Sequence, residues 1–400
     1  MKWSKCLCGM LAAALLLPTA AASFKDAERH WAASSIDRWN GYGVVSGYSD
    51  GRFGPDDSIT RGQMAVMLDR IFGWKETTQN PFRDMTGSEW YASAVLRANA
   101  AGVMAGDGNG NARPGSPITR QEAAVMLSRA LTLKSDGRGK PFYDDDQIGA
   151  WARDAVDIMS SLGIIGGTPE GNFAPSRSIT RAETTVILDR AIPAYYTRAG
   201  VYTDHVDGIL AMVAAPGVTL KDMKFMGDLL IVPGAEGSEV TLQNVAVTGC
   251  VRILSGKGAK VLASGSSVLT NVEMAGNNAR LVLDDKAKIE SLSISGTGAH
   301  AQGLPPGLKV TVAPGTKYVK VNGHDVLSGE EITAGEDISD PLDDVDIEIE
   351  TGNGGGSGGR PADPVPPAES EPPEDGETSG GNRDADGNII IDFDDLMNGT

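Results

Sequence analysis

Cysteine is scarce in this chain. Only Cys6, Cys8 and Cys250 occur in 400 residues, and the first two fall in an N-terminal stretch that reads as an export signal. A mature chain would keep Cys250 alone, which excludes an internal disulfide and a thiolate metal cluster. A small buried side chain is the ordinary use of such a residue. The four histidines, His30, His205, His300 and His324, show no metal-ligand spacing, so no metal or other cofactor is expected. No Gly-x-Ser-x-Gly elbow or phosphate loop occurs. There is no Lys/Arg block, which removes the electrostatic footprint of a nucleic-acid binder.

Charge and length say what is there instead. A chain of 400 residues exceeds one hydrophobic core, so two or three domains are expected. The formal net charge is −18, and its placement is uneven. From Glu331 onward there are 20 acidic residues against Arg360 and Arg383, whereas residues 1–330 are balanced. The acidity belongs to a tail. At the other end, Lys2 and Lys5, an apolar run over residues 7–17 and Ala20-Ala21-Ala22 before Ser23 form a secretory signal over residues 1–22. That run is short for a bilayer span, so no membrane contact is expected once it is removed. A retained N-terminal anchor is the competing reading. No cysteine follows the apolar run, which argues against a lipoprotein.

Internal repetition is the strongest signal. Phe24-Lys25-Asp26 recurs as Phe82-Arg83-Asp84 and Phe142-Tyr143-Asp144, and Trp31, Trp90 and Trp151 follow in turn. Next come helical stretches with apolar spacing of three and four, such as Ala94, Val95, Ala98 and Ala101. Each ends at Gly43, Gly102 or Gly163 before an apolar pair, as a left-handed helix stop requires. A turn follows, clearest over residues 48–53. Each unit then closes on Ile-Thr-Arg and a second helix, with a period of about 60 residues. Thr119-Arg120-Gln121-Glu122 and Thr180-Arg181-Ala182-Glu183 fit the capping box, and Thr60-Arg61-Gly62-Gln63 fits its glutamine variant.

Capping accounts for threonine and glutamate but not for arginine. Arg61, Arg120 and Arg181 sit at the positive end of a helix dipole, where a cation is disfavoured. Two readings stand open. Each arginine pairs with the aspartate of a Phe-x-Asp segment, or each offers its forked donors to an external carboxylate or phosphate.

Phe-x-Asp, the following Trp, the glycine-flanked apolar pair and Ile-Thr-Arg, three times over, resemble S-layer homology repeats. The resemblance covers residues 24–192 and implies a pseudo-threefold helical module with grooves between repeats. It also implies a ligand, secondary cell-wall polysaccharide, often bearing pyruvate ketals on N-acetylmannosamine. Carried over by motif, Arg61, Arg120 and Arg181 meet the ketal carboxylate, and Asp26, Asp84 and Asp144 line the groove with Gly47, Gly106 and Gly167. Trp31, Trp90 and Trp151 pack on sugar or hold the helices, the latter being the commoner use. Two departures weaken the pattern. Repeat 1 has Gly62-Gln63 where the family prefers Ala-Glu, and repeat 2 has Ala112 where Phe53 and Phe173 stand elsewhere. Three modest sites on one rigid body can still retain a long polymer.

After Tyr195-Tyr196 the pattern becomes short β-type runs separated by glycine. Residues 218–234 align with 240–256 at an offset of 22, and two less regular rungs follow. The inward candidates align as Met223, Val245, Val272 and Leu292, then as Phe225, Val247, Met274 and Ile294, with Gly227, Gly249, Gly276 and Gly296 closing each rung. Stacked rungs of about 20 residues read as a short parallel β-helix-like solenoid, with a twisted sandwich as runner-up. Residues 308–326 are expected to add closing strands and a cap. No row of carboxylates crosses the rungs, so catalysis is not expected there. Beyond it, Gly, Pro and acidic residues over 334–383 read as a disordered linker. The acidic segment 384–400 partly follows a calcium loop, with Asp384, Asp386, Asn388, Asp392 and Asp395, but Ile389 replaces the turn glycine.

The expected architecture is thus multidomain. Repeats at 24–75, 82–134 and 142–195 form a helical module, followed by an all-β solenoid at 200–333 and the tail. The expected function is non-covalent anchoring of an exported protein to anionic wall polysaccharide at a bacterial surface, Gram-positive in type. The solenoid or tail is left to contact other surface proteins. The alternatives are a wall-tethered, polysaccharide-active enzyme of the β-helix type and a subunit of a surface lattice.

Overall fold

A computed structural model describes residues 24–335, except 136, 138, 206, 238 and 256. The signal segment, the linker beyond Gly335 and the calcium-loop-like segment at 384–400 lie outside the described residues. Six helices come first: α1 (Ala33–Gly41), α2 (Arg61–Phe72), α3 (Ala92–Ala100), α4 (Arg120–Ala130), α5 (Ala150–Ser161) and α6 (Arg181–Ala191). They alternate in role. The first helix of each repeat stops where expected, with Gly43, Gly102 and Gly163 all at φ 70°, a conformation that costs a glycine little. The second begins on the capping threonine.

The three repeats close on one another around an axis. The backbone N–H of Ile59 donates to Ile179, that of Ile179 to Ile118 and that of Ile118 to Ile59, at 3.0–3.1 Å. All three side chains are buried at the centre of the helical core. This cyclic set of bonds is the physical form of the pseudo-threefold symmetry that the repeats imply.

The β part is a parallel solenoid of about six turns, which rules out the sandwich. One sheet runs from Ala194–Tyr196 through Leu210–Val213, Asp228–Ile231, Ala246–Ile253, Val268–Met274 and Lys288–Ile294 to Lys309–Val312. The other runs from Gly200–Tyr202 to Val319–Val321. Antiparallel strands Glu331–Thr333 and His324–Val326 close the far end. The first strand starts at Ala194, before the expected boundary at 200, because Tyr195 and Tyr196 point to opposite faces, one into the helices and one into the solenoid.

The rung alignment also needs correction. Val247 pairs with Leu269, not Met274, and the continuous inner rows are Leu229–Val251–Val272–Leu292–Val310 and Ile231–Ile253–Met274–Ile294–Val312. One extra residue in Ala246–Ile253, opposite the step from Leu269 to Asn271, shifts the register. The glycines accordingly fall in two corner rows. Gly249 stacks on Gly227, and Gly296 stacks on Gly276, with no room for a Cβ at either.

The solenoid lies with one flank against the helices. Leu210, Met212, Leu230 and Val232 share a core with Trp39, Ile71 and Phe72. The Tyr195 hydroxyl donates to the Ile71 carbonyl at 2.8 Å, and Lys134 bridges to Glu273 at 2.5 Å. These strands are buried on both faces, which explains their nearly continuous apolar sequence. Cys250 is buried on the solenoid, and desolvation pushes its thiol up to about 11, so it stays protonated and unreactive at neutral pH.

Candidate functional site

The start of each second helix is fully occupied. Thr60, Thr119 and Thr180 accept from the backbone N–H three residues on, and Gln63, Glu122 and Glu183 reach back to the cap. The Gln63 variant is as complete as the others. The next two donors are met by the neighbouring repeat. Arg61 and Gly62 N–H bond to Ser116 and Pro114, Arg120 and Gln121 to Arg177 and Pro175, and Arg181 and Ala182 to Asp57 and Pro55. No external anion is needed to satisfy these helix ends.

The arginine side chains follow the same route into the neighbouring repeat. Arg61 donates to Ala112 O at 2.9 Å and Ala105 O at 2.8 Å, and pairs with Glu122 at 3.0 Å. Arg120 donates to Phe173 O and Gly166 O, and meets Glu183 at 3.4 Å. Arg181 donates to Phe53 O and Ser46 O. Its capping neighbour is Gln63, so it lacks the glutamate partner that the other two have. All three are nearly buried, at 8, 8 and 6% exposed. Burial lowers the guanidinium pKa of Arg120 and Arg181. The arginines therefore staple repeat to repeat, chiefly through backbone carbonyls.

The aspartates do not form the ion pairs with Arg61, Arg120 and Arg181 that one reading of the sequence offered. Asp26 accepts from Phe53 and Gly54 N–H, Asp84 from Ala112 and Arg113, and Asp144 from Phe173 and Ala174, at 2.7–3.1 Å. Each clips the turn of its own repeat and pairs with no arginine of the Ile-Thr-Arg set. Gly47, Gly106 and Gly167 leave space for the Phe-x-Asp aromatics and for the carbonyls of Arg52, Asn111 and Asn172. Gly106 and Gly167 also line clefts; Gly47 has the same packing role in repeat 1.

Among the described residues, two clefts lie between repeats. Cleft A, about 450 Å³, joins Arg61 to Arg113, Glu122 and Arg129, with Trp151 from repeat 3 at its wall. Cleft B, about 500 Å³, joins Arg120 to Arg177, Glu183 and Arg190, with Trp31 from repeat 1. The indoles are 59 and 64% exposed, so Trp151 and Trp31 are not the core residues expected of them. Trp90 is half-buried, edge-on to Tyr91. Burial works against the Glu183 carboxylate, but bonds from Arg177 and Thr180 and the charge of Arg120 outweigh it and hold its pKa below the ordinary value.

Arg129 and Arg190 were missed in the sequence. Both are exposed and have no ion-pair partner among the described residues. The signal was present: arginine recurs nine residues after each Ile-Thr-Arg arginine, as Arg70, Arg129 and Arg190. Arg70 differs, being half-buried and bonded to Val44 O at 3.3 Å.

The S-layer homology domain family matches this chain at residues 23–65, 81–124 and 141–185. The helical part is therefore three tandem S-layer homology domains. The chain is 36% identical over 172 residues to an amylopullulanase of Thermoanaerobacterium thermosulfurigenes, covering 42% of this chain and 9% of that protein. It is 34% identical over 172 residues to exoglucanase XynX of Acetivibrio thermocellus, covering 42 and 16%. It is 34% identical over 196 residues to S-layer protein EA1 of Bacillus anthracis, covering 46 and 22%. The chain spans no more than a quarter of the length of these curated relatives.

Proposed function

We propose that this chain, three S-layer homology domains with a β-solenoid on their flank, is an exported bacterial surface protein held non-covalently on an anionic secondary cell-wall polysaccharide. The observation that carries this reading is the pair of clefts in which an exposed, unpaired arginine faces an exposed indole. Four of the relatives it matches are named as S-layer proteins, which supports a place at the cell surface; a surface of the Gram-positive type is part of the proposal. An acidic sugar such as a pyruvate ketal finds a free guanidinium in Arg129 or Arg190. The buried Arg61 or Arg120 adds a second cation in a site of reduced dielectric. The indole offers a flat apolar wall for the sugar ring. Arginine suits the task because its forked donors match a carboxylate. Two clefts on one rigid body then hold a polymer through effective concentration.

In this reading the solenoid is displayed and does no chemistry. Its central carboxylates, Asp228 and Glu273, are both bound to buried Arg252, which leaves neither free as an acid or base. The relatives named as glycan hydrolases match over a small fraction of their own length, so their activities do not transfer to the solenoid.

The test is co-sedimentation with purified cell-wall sacculi, before and after the wall polymer is removed. Retention is expected only while the polymer is present, and it should fall with rising salt. Equal retention on stripped sacculi contradicts the proposal.

A further inference from the structure

The helical module and the solenoid meet beside a third cleft, of about 290 Å³, that neither part makes alone. Its geometry begins with the end of α2. Gly73 adopts φ 63° and stops the helix, and a Cβ there would stand 3.0 Å from the Gly234 Cα. Gly234 is held to glycine from its other side, since a Cβ there would stand 2.7 Å from the Ala214 carbonyl oxygen. The turn at Gly73 lays Trp74 on Phe72, with ring centroids 5.0 Å apart and planes 9° from parallel. Phe72 is fully buried. Trp74 itself is half-buried and lines the cleft.

Charge separates this site from clefts A and B. Lys75 and Glu76 from the helical side stand with Glu236 and Lys257 from the solenoid, and Lys257 pairs with Glu76 at 3.6 Å. The fifth charged side chain, Arg97, is bound bidentately to Asp69 at 2.6–2.8 Å. The lining is thus balanced, whereas cleft B has three arginines to one glutamate. Asn277 and Asn278 add amides at the rim. The Asn277 side-chain oxygen accepts from Thr297 N–H at 3.0 Å, and its amide N–H groups are donors.

A rigid aromatic face beside balanced donors and acceptors suits an uncharged pyranose. The C–H face of such a ring packs on an indole, and its hydroxyls both give and take hydrogen bonds. An acidic sugar gains no surplus positive charge here. Pockets of this kind, apolar on one wall with a few polar groups, occur preferentially where two parts of a protein meet. We propose that the junction cleft is a second glycan site, taking a neutral hexopyranose unit against Trp74, separate from the cationic clefts between repeats.

The experiment titrates the full chain with two neutral oligosaccharides, the β-1,4-linked tetramers of N-acetylglucosamine and of glucose. Calorimetry gives the affinity, and the assigned Trp74 indole N–H resonance gives the location. At least one tetramer is expected to saturate and to shift that resonance. Trp74→Ala should weaken binding about tenfold or more, the loss of an aromatic wall. Ala101→Trp, at the exposed end of α3, fills the cleft from outside the core and should do the same without changing the melting temperature. No saturable binding of either tetramer overturns the inference. So does binding that is unchanged in both variants.

Discussion

Clefts A and B are built on one plan from equivalent residues, yet they differ in charge and in aromatic support. Cleft B sets Arg120, Arg177 and Arg190 against Glu183 alone. Cleft A sets Arg61, Arg113 and Arg129 against Glu122 and Asp107, which makes its net charge one unit less positive. The guanidinium of Arg120 also lies over the Phe173 ring at 5.0 Å, while Arg61 faces Ala112, which has no ring to offer. The lesson is that the buried arginine of each repeat sets the shape of a cleft, and the exposed residues around it set what the cleft can hold. Cleft B is expected to bind an acidic sugar more tightly.

The largest effect should come from removing both exposed arginines. Arg129→Ala with Arg190→Ala is expected to abolish sacculus retention in a sedimentation assay while leaving far-ultraviolet circular dichroism unchanged. Next comes the converse test. Asp144→Ala removes two hydrogen bonds to a charged acceptor beneath cleft B and should destabilise the module by about 2–4 kcal/mol in urea unfolding. Glu122→Gln should be smaller and opposite in sign for binding. Gln63 shows that glutamine preserves the cap, so the variant gives cleft A the net charge of cleft B. Its affinity for an isolated acidic wall fragment should rise by severalfold, about 1 kcal/mol. Ala112→Phe should add about 0.5–1 kcal/mol of stability by restoring the ring beneath Arg61, measured as a rise in melting temperature.

The pH dependence should be smallest. Glu183 has a lowered pKa in the folded state, so its contribution to stability is complete above the ordinary glutamate value and fades as pH falls through its lowered one. A Glu183→Gln variant should therefore show a shallower loss of stability in acid than the parent. Equal slopes would remove Glu183 from the account.

The repeats, the glycine stops and the capping boxes were legible in the sequence because each depends on residues a few positions apart. The identity of the arginine's partners was not. They lie 44–63 residues away for Arg61 and Arg120 and 128–135 residues away for Arg181, in a neighbouring repeat, and most are backbone carbonyls, which no side-chain pattern announces. The tryptophans misled for a related reason: Trp31 and Trp151 wall clefts that belong mainly to other repeats. In the solenoid, the alternation identified buried residues such as Met223 and Val245 correctly, but one extra residue near Val247 displaced the rows. Arg129 and Arg190 were visible as a constant offset of nine, but a charged residue in the last turn of a helix has an ordinary explanation in the helix dipole.

The most direct measurement compares Arg190→Ala and Arg129→Ala one at a time, by affinity for a purified acidic wall fragment. Losing a charged contact is worth about 1.5–3 kcal/mol, and Arg190→Ala should show the greater loss, with the fold of both variants intact. If both bind like the parent, the exposed arginines do not catch the polymer, and the account of these clefts is wrong.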